Sequence, residues 1–279
     1  PIKTKMPVSR RGDGQLLHPG TGIVPIMKEV GHKRLSIIGT GFYITRYGLL
    51  VTAKHVLEDL MAEDGKSLAP NYVCHLAPEN AIHLRPIRKA HLLRKADIGI
   101  AQADNFRDSY PANPLQNLRA TLSTQLPSSG SPLTTYAYPE NEVLDFNLEG
   151  KTPVISGDYF QGGFLRYVEE PEHPYLRFPY FETTVEIRSG ASGGPVFDAQ
   201  GRVIGVNCRG WDFRRGEHEN NPLSYIVPIG NILEIDVDTF MIPDVSWEAE
   251  QIPETRKGCT LNGRELAKYG HILFEPPLP

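Results

Sequence analysis

The chain has 279 residues, of which 40% are hydrophobic, and its formal net charge at pH 7 is −4. No stretch approaches the roughly 18 consecutive apolar residues that a transmembrane helix needs, and an acidic excess argues against a phosphate-backbone partner. We therefore expect neither a membrane protein nor a nucleic-acid-binding protein, but one large domain or two small ones.

The first 20 residues have the composition of a flexible arm. Charged and polar residues prevail, and the run Arg10-Arg11-Gly12-Asp13-Gly14 lacks any apolar periodicity. Chain ends of this kind are poorly ordered unless a sheet or helix ties them down. We expect residues 1–20 to form a flexible N-terminal arm.

Short apolar runs separated by turn residues follow from Leu35. Residues 36–45 and 49–52 are rich in β-branched and aromatic residues and enclose the turn Arg46-Tyr47-Gly48, which predicts a β-hairpin. Further strands of the same kind are predicted at residues 98–101, 133–138, 183–187, 203–206 and 224–227. Many short strands spaced by turns are typical of an all-β sandwich or barrel.

Helical patterns are confined to three short segments. Residues 54–60 and 231–235 have the spacing of one or two helical turns, and residues 262–268 are followed by Gly270, a common terminator. The Pro-rich polar stretch at residues 110–130 is the best candidate for a linker. We therefore divide the chain into a first β unit (21–115), a second β unit (116–240) and a C-terminal extension (241–279).

The most specific motif is the run Ser-Gly-Ala-Ser-Gly-Gly-Pro at residues 189–195. The hydroxyl of Ser192 becomes a nucleophile only if a base removes its proton, and flanking glycines allow a tight turn that exposes it. The N–H groups of Gly190 and Ser192 would then converge on a developing oxyanion. Taken alone, the motif fits an ordinary glycine-rich loop equally well.

A candidate base and a candidate carboxylate lie upstream of this motif. His55 follows an apolar strand, and an imidazole whose pKa lies near neutrality suits proton exchange with a serine. Asp97 begins the apolar run 97–101, and a carboxylate there would hold the imidazole in one tautomer. Each residue alone also fits a surface histidine or a turn-forming aspartate, whereas the three sites together are far more specific.

Together these motifs resemble the trypsin/chymotrypsin-like serine peptidases. The blocks Thr-Ala-Lys-His, Asp-Ile-Gly-Ile-Ala and Gly-Ala-Ser-Gly-Gly-Pro occur in the family's order, with 42 positions from 55 to 97 and 95 from 97 to 192. Residues 39–44, 205–207 and 225–228 are similar to strands of the bacterial HtrA-type branch. The resemblance covers residues 30 to 235.

The resemblance implies two six-stranded antiparallel β-barrels packed together, with a catalytic triad in the cleft between them. His55 and Asp97 would come from the first barrel and Ser192 from the second. The chain departs from the family in two ways: it lacks the disulfides of vertebrate members, and the residues after Asp236 are too few for the peptide-binding PDZ domain of HtrA proteins. The expected likeness is to the protease domain alone.

The resemblance also indicates a specificity pocket. Its expected lining consists of Glu186, Ile187, Cys208, Arg209, Gly210 and Ser224. Glu186 falls where trypsin-like members place an acidic base, which would favour Arg or Lys before the cut bond. HtrA-type pockets instead resemble small aliphatic slots, and both preferences stay open, with the basic one slightly favoured.

We expect no trypsin-type activation by a new N-terminus. In trypsin-like enzymes an aspartate immediately before the nucleophile pairs with a freshly cut amine, whereas this chain has Ala191. A buried amine without a counter-charge would be costly.

No metal or cofactor is expected. Cys74, His75, His83 and His91 lack a recognised ligand spacing, and neither a P-loop nor a dinucleotide fingerprint occurs. The expected partner is a protein or peptide substrate, and a regulatory protein partner stays open.

The three cysteines indicate the compartment. Cys74, Cys208 and Cys259 are far apart and form no CxxC pair, which is typical of free thiols in a reducing environment. We expect a cytoplasmic protein, or a secreted or periplasmic one if a signal peptide preceded Pro1.

The sequence thus predicts a serine endopeptidase that acts through an acyl-enzyme. The alternative is a catalytically silent double barrel used as a binding module. An esterase of the α/β-hydrolase type is disfavoured, because that fold needs parallel strands and the order Ser, Asp, His.

Overall fold

The computed structural model describes residues 19–32, 34–65, 67–76, 82–104, 118–139, 143–145, 155–210, 223–238 and 259–278. Residues 1–18 of the expected arm lie outside these ranges, and residues 19 and 20 belong to a 3-10 helix at Pro19–Thr21. The predicted boundaries near residues 115 and 240 also lie outside them. Within the described ranges, no helix is long and apolar enough to cross a membrane.

The first sheet is formed mainly by the N-terminal part of the chain. Its strands are β1 (Ile23–Gly31), β2 (Arg34–Tyr43), β3 (Leu49–Thr52), β4 (Asn71–Leu76), β5 (Ile82–Arg85), β6 (Ile87–Leu92) and β7 (Gly99–Ala103), joined by β10 (Val143–Asp145). They lie in the order β5-β4-β1-β2-β3-β7-β6, with β10 paired to β2. The predicted hairpin is confirmed, since β2 and β3 pair antiparallel. The predicted short helix is α1 (Lys54–Asp59), which follows β3 directly.

Six strands of the second sheet close into a ring. They are β9 (Pro132–Ala137), β11 (Asp158–Val168), β12 (Tyr180–Thr183), β13 (Pro195–Phe197), β14 (Val203–Gly210) and β15 (Ser224–Pro228). Their order is β13-β9-β11-β12-β15-β14, and β14 pairs again with β13. Beyond β14, the sheet continues through β8 (Thr121–Leu122) to β18 (Leu273–Phe274).

The predicted double barrel is confirmed. The second unit is a closed six-stranded barrel, and the first sheet curls into a half-barrel. In the first sheet, β5 and β6 are the two end strands of the hydrogen-bonded path, and Pro86 separates them in sequence. Because proline has no N–H, it cannot continue a ladder at this point.

Three clusters of buried apolar side chains stabilise this arrangement. One lies in the first unit and includes Val24, Leu50 and Leu57; another lies in the closed barrel and includes Leu133, Phe160 and Val196. The largest cluster joins both units and the C-terminal segment, with members such as Phe42, Val51, Ile100, Val206 and Leu266. Each fully buried side chain of this kind contributes about 1.5–3 kcal/mol.

The C-terminal segment packs onto the second unit. A 3-10 helix at Ile229–Glu234 leads into β16 (Asp236–Asp238), which pairs with β17 (Thr260–Asn262). The predicted helix near residue 262 is α2 (Gly263–Lys268), which begins with a capping box between Asn262 and Glu265. Leu261 and Ile272 are buried in the largest cluster, so residues 259–278 are part of the fold.

Two predicted elements differ from the structure. Within the predicted strand at residues 183–187, regular pairing ends at Thr183. At the next residue, the Thr184 amide donates to the Gly163 carbonyl, and the Thr184 hydroxyl accepts from the Gly163 amide. The predicted linker at 110–130 is not wholly a connection, since its described part contains β8, whose Leu122 is fully buried.

Candidate active site

His55 and Asp97 are brought together by the pairing of β3 with β7. Thr52 lies opposite Gly99 in this antiparallel pair, so the end of β3 lies beside the start of β7. Ala53 is extended and α1 begins at the next residue, which places His55 in the first helical turn. Asp97 stands two residues before β7. The two candidate residues therefore meet at one end of the sheet.

Two hydrogen bonds join His55 to Asp97. The ring Nδ1 lies 2.7 Å from Oδ2, and the backbone N–H of His55 donates to Oδ1 at 2.9 Å. The Asp97 side chain is 14% exposed and the His55 side chain 47% exposed. A carboxylate that accepts at Nδ1 fixes the tautomer in which Nδ1 carries the proton and Nε2 is free to accept one.

Cys208 provides a further donor to Asp97. This residue lies on β14 of the second unit, and its Sγ donates to Oδ2 of Asp97 at 2.9 Å. Burial raises the pKa of the Cys208 thiol well above its usual value, and the neighbouring Asp97 charge adds to that effect, so the thiol stays protonated. Sequence reasoning assigned Cys208 to a pocket wall and missed this bond.

The balance of these contacts keeps Asp97 ionised. Burial alone raises the pKa of a carboxyl group, because it disfavours the charged form. The hydrogen bonds from His55 and Cys208 outweigh burial, and the pKa of Asp97 lies below its ordinary value.

The turn that carries Ser192 is attached to the first unit. The backbone N–H of Thr40 donates to the Ser192 carbonyl at 2.8 Å, and the Thr40 hydroxyl donates to the Gly190 carbonyl at 3.0 Å. Gly193 has φ 86°, and a Cβ at this position would overlap the Thr52 hydroxyl and the Thr40 carbonyl. Glycine is therefore required here by both backbone conformation and space.

The same turn is held from inside the second unit by Asn207. Its backbone exchanges hydrogen bonds with Gly193 and Gly194, at 2.7 and 2.9 Å. Its side-chain amide donates to the carbonyl of Ala191 at 3.2 Å and to the hydroxyl of Thr135 at 2.8 Å. Asn207 is fully buried, so the turn is fixed by core packing.

The turn leaves the two expected oxyanion donors available. The amide of Ala191 donates to Arg188, that of Gly193 to Asn207 and that of Gly194 to Ala191. For the amides of Gly190 and Ser192, the described part of the chain supplies no acceptor. Their role as donors to an oxyanion stays a prediction.

The hydroxyl of Ser192 points towards Cys208. Its Oγ lies 3.4 Å from the Cys208 carbonyl, a long hydrogen bond. Ser192 and Asp97 thus both contact Cys208, and Asp97 contacts His55. Among the described residues, no hydrogen bond joins Ser192 Oγ to the His55 ring directly.

Three of the expected pocket residues, Cys208, Arg209 and Gly210, belong to β14. Gly210 pairs with Ser224, which is buried, and a Cβ on Gly210 would overlap the Ile187 carbonyl, so these segments touch. Glu186 is 44% exposed and forms an ion pair of 2.8 Å with Arg188. Its assignment as a pocket base stays a prediction.

In the described ranges, no cluster of three or more His, Cys, Asp or Glu side chains could hold a metal ion. His75 and Cys74 are both buried in the first unit. Burial, together with the smaller effect of the nearby Arg85 charge, lowers the pKa of His75 to about 3. The Nδ1 of His75 lies 3.2 Å from a guanidinium nitrogen of Arg85, an interaction within the core rather than a ligand set.

Comparisons with known proteins agree with this geometry. A family model described as trypsin-like peptidase domain matches residues 39–206, a range that contains His55, Asp97 and Ser192. A comparison with curated protein sequences finds no match.

Solved structures share the fold at low sequence identity. The crystal structure of Deg5 superposes with a TM-score of 0.52 and 20% identity, covering 76% of this chain and 86% of that one. The HtrA-type protease AlgW with tripeptide superposes with a TM-score of 0.52 and 15% identity, covering 76% of this chain and 57% of that one. These similarities concern the arrangement of the two barrels.

Proposed function

Because the chain belongs to the trypsin-like peptidase family, we propose that it is a serine endopeptidase with Ser192, His55 and Asp97 as its catalytic residues. The observation that carries the proposal is the 2.7 Å contact between His55 Nδ1 and Asp97 Oδ2, on a carboxylate that stays ionised. This pair leaves Nε2 of His55 as a base, at a site whose other side carries the half-buried Ser192 on a tight turn.

In the first step, Ser192 Oγ attacks the carbonyl carbon of the scissile bond. The new C–O bond forms as His55 Nε2 takes the hydroxyl proton, and the carbonyl oxygen becomes an oxyanion. The free amides of Gly190 and Ser192 donate to that oxyanion. The long bond from Ser192 Oγ to Cys208 is readily exchanged for one to His55, because it is a weak hydrogen bond.

The tetrahedral intermediate then collapses. The C–N bond breaks, the amine takes the proton from His55 Nε2, and an ester remains on Ser192. A water molecule repeats the sequence, with His55 again accepting and returning a proton, and releases the carboxylic acid. Asp97 stays ionised throughout and stabilises the imidazolium.

Labelling with a fluorophosphonate tests this proposal without knowledge of the substrate. Wild-type protein should be labelled covalently, and Ser192→Ala should not. Ser189→Ala is the matched control, since Ser189 is an exposed serine three residues away in the same turn. Failure to label the folded wild-type protein would refute the endopeptidase proposal and favour the catalytically silent binding module.

A finer part of the proposal concerns the residue before the cut. If Glu186 selects Arg or Lys there, the substrate cation must compete with Arg188, which already pairs with that carboxylate. Exposed ion pairs contribute about 0.2–1 kcal/mol, so the preference should be only a few-fold. If wild type and Glu186→Gln each cleave Arg and Leu peptides equally well, Glu186 does not select the residue before the cut bond.

We also propose a protein or peptide as substrate and a cytoplasmic location. The second of these rests on the free state of Cys74, Cys208 and Cys259. Fractionation of the producing cells, followed by immunoblotting, would test the location.

A further inference from the structure

Arg209 presents a positive charge beside the candidate active site. It follows Cys208 on β14, and its side chain is exposed, whereas Asn207 and Cys208 are buried. The guanidinium carbon lies 5.2 Å from the centre of the Tyr175 ring. A cation over an aromatic face at this distance is attracted by the ring, so Tyr175 restrains the position of the charge.

Nearby carboxylates are already occupied by another arginine. Arg166 donates twice to Glu182, at 2.7 and 3.1 Å, and twice to Glu172, at 3.0 and 2.7 Å. Arg209, by contrast, has no carboxylate partner anywhere in the described part of the chain. Its charge is therefore available to a ligand.

Tyr175 itself is accessible to a ligand. It is 73% exposed, more than any other large apolar residue among those described. His173 lies against both Tyr175 and Tyr225, with ring centres 5.7 and 4.8 Å away, which positions the loop. The result is a cation restrained over an accessible aromatic ring.

Among the described residues, no strand pairs with the edge of β14 on the far side of Arg209 from β15, which leaves that edge open to an extended peptide. One side of residues 207–210 pairs with β15. On the other side, pairing with β13 ends at Val206 and the Asn207 backbone bonds to Gly193 and Gly194, so the unpaired edge begins at Cys208. The Cys208 carbonyl faces the open side, because the Ser192 hydroxyl reaches it there. An extended segment can add to such an edge through backbone hydrogen bonds.

The position of Ser192 sets the register of that segment. The residue whose carbonyl Ser192 attacks must lie next to Cys208. In an antiparallel pair, the substrate residue two before the cut bond then lies opposite Arg209, and the one four before it is the diagonal neighbour. Both are within reach of a long side chain.

We propose that Arg209, restrained by Tyr175, selects substrates with an Asp or Glu at the second or fourth residue before the cleaved bond. This inference rests on the proposed peptidase function. A carboxylate there would form a charge-assisted, bidentate pair with the guanidinium, which the intramolecular carboxylates do not supply.

Paired peptides that differ only by Glu or Gln at these positions test the selection. For wild type, kcat/KM should be about three- to tenfold higher for the Glu peptide at low salt, and the ratio should fall as salt is raised. In Arg209→Gln the ratio should fall to about one, and in Tyr175→Leu it should decrease. Arg88→Gln is the matched control, an exposed arginine on the first unit that pairs with Asp104, and it should keep the wild-type ratio.

Binding measurements separate this inference from the peptidase proposal. The same peptides are titrated into Ser192→Ala protein, with and without Arg209→Gln, and followed by fluorescence anisotropy. Tighter binding of the Glu peptide, lost with Arg209→Gln, supports the inference even if no peptide is cleaved. The inference is overturned if Ser192→Ala protein binds the Glu and Gln peptides equally tightly, if adding Arg209→Gln leaves the ratio of the two affinities unchanged, or if no peptide binds. Cleavage with a ratio of one would leave the peptidase proposal standing.

Discussion

The thiol of Cys208 and the carboxylate of Asp97 connect the two units at the candidate active site, with Sγ 2.9 Å from Oδ2. The contact depends on an irregularity in β14. Asn207 lies opposite Ile226 and Arg209 opposite Tyr225, so Cys208 is an extra residue in the ladder. Such a bulge re-aims a side chain, and here it allows two consecutive residues to be buried with different partners.

The first prediction concerns the donor at position 208. Cys208→Ser keeps a donor and should retain kcat/KM within a few-fold. Cys208→Ala removes it and should lower kcat/KM about tenfold or more, because hydrogen bonds to charged groups contribute about 1.5–3 kcal/mol. Steady-state kinetics over a range of pH, together with thermal unfolding, would check both variants. Equal activity of the Ser and Ala variants would contradict a role for this bond.

Sequence motifs predicted the candidate site better than its supporting contacts. The meeting of His55 and Asp97 follows from the pairing of two apolar strands that both motifs adjoin. The bond from Cys208 could not be predicted, because it depends on a bulge that periodicity does not reveal. The end of β12 at Thr183 was missed for a related reason: the Thr184 hydroxyl accepts a hydrogen bond from the Gly163 amide in place of the regular ladder.

A second prediction concerns Gly193. Gly193→Ala should lower stability by about 2 kcal/mol or more and abolish fluorophosphonate labelling, because the new Cβ is strained at φ 86° and would overlap Thr52 and Thr40. Gly65→Ala is the control: Gly65 also has a positive φ, 62°, but a Cβ there meets nothing within 4 Å. Urea unfolding would compare the two, and equal losses would show that space around Gly193 is not the determinant.

A third prediction concerns acid stability. His75 is buried in its neutral form, with a pKa of about 3. Between about pH 6.5 and 3, His75 therefore stays neutral in the folded state, whereas in the unfolded state, where its pKa is near 6.5, it is protonated. Its contribution to stability is therefore constant above about pH 6.5 and decreases as pH falls from there towards 3. His75→Gln, which keeps an acceptor for Arg85, should reduce the slope of the unfolding free energy between pH 6 and 4 by about 1 kcal/mol per pH unit. Identical slopes in urea titrations of both proteins would contradict this.

The last prediction is that the turn before Ser192 is organised by Asn207 and not by a newly cut N-terminal amine. Ala191, which is fully buried, has no charge to pair with an amine. Its carbonyl instead accepts from the Asn207 side chain, and its amide donates to Arg188, so both backbone groups are satisfied within the fold. Burying an amine beside this residue would cost several kcal/mol without compensation.

Two sets of variants examine this arrangement. The 279-residue chain and versions that begin between Met6 and Gly22, before β1, should have fluorophosphonate labelling rates equal within about twofold, because no cut is needed. Asn207→Leu keeps the size of the side chain but removes its donor, and it should slow labelling about tenfold or more. Thr135→Val removes the other acceptor of the Asn207 amide and the hydroxyl that donates to the Pro195 carbonyl, and it should slow labelling less, since the bond to Ala191 remains. Labelling that appears only after one defined cut, and is lost when the new amine is acetylated, would show that a terminal charge organises the turn after all.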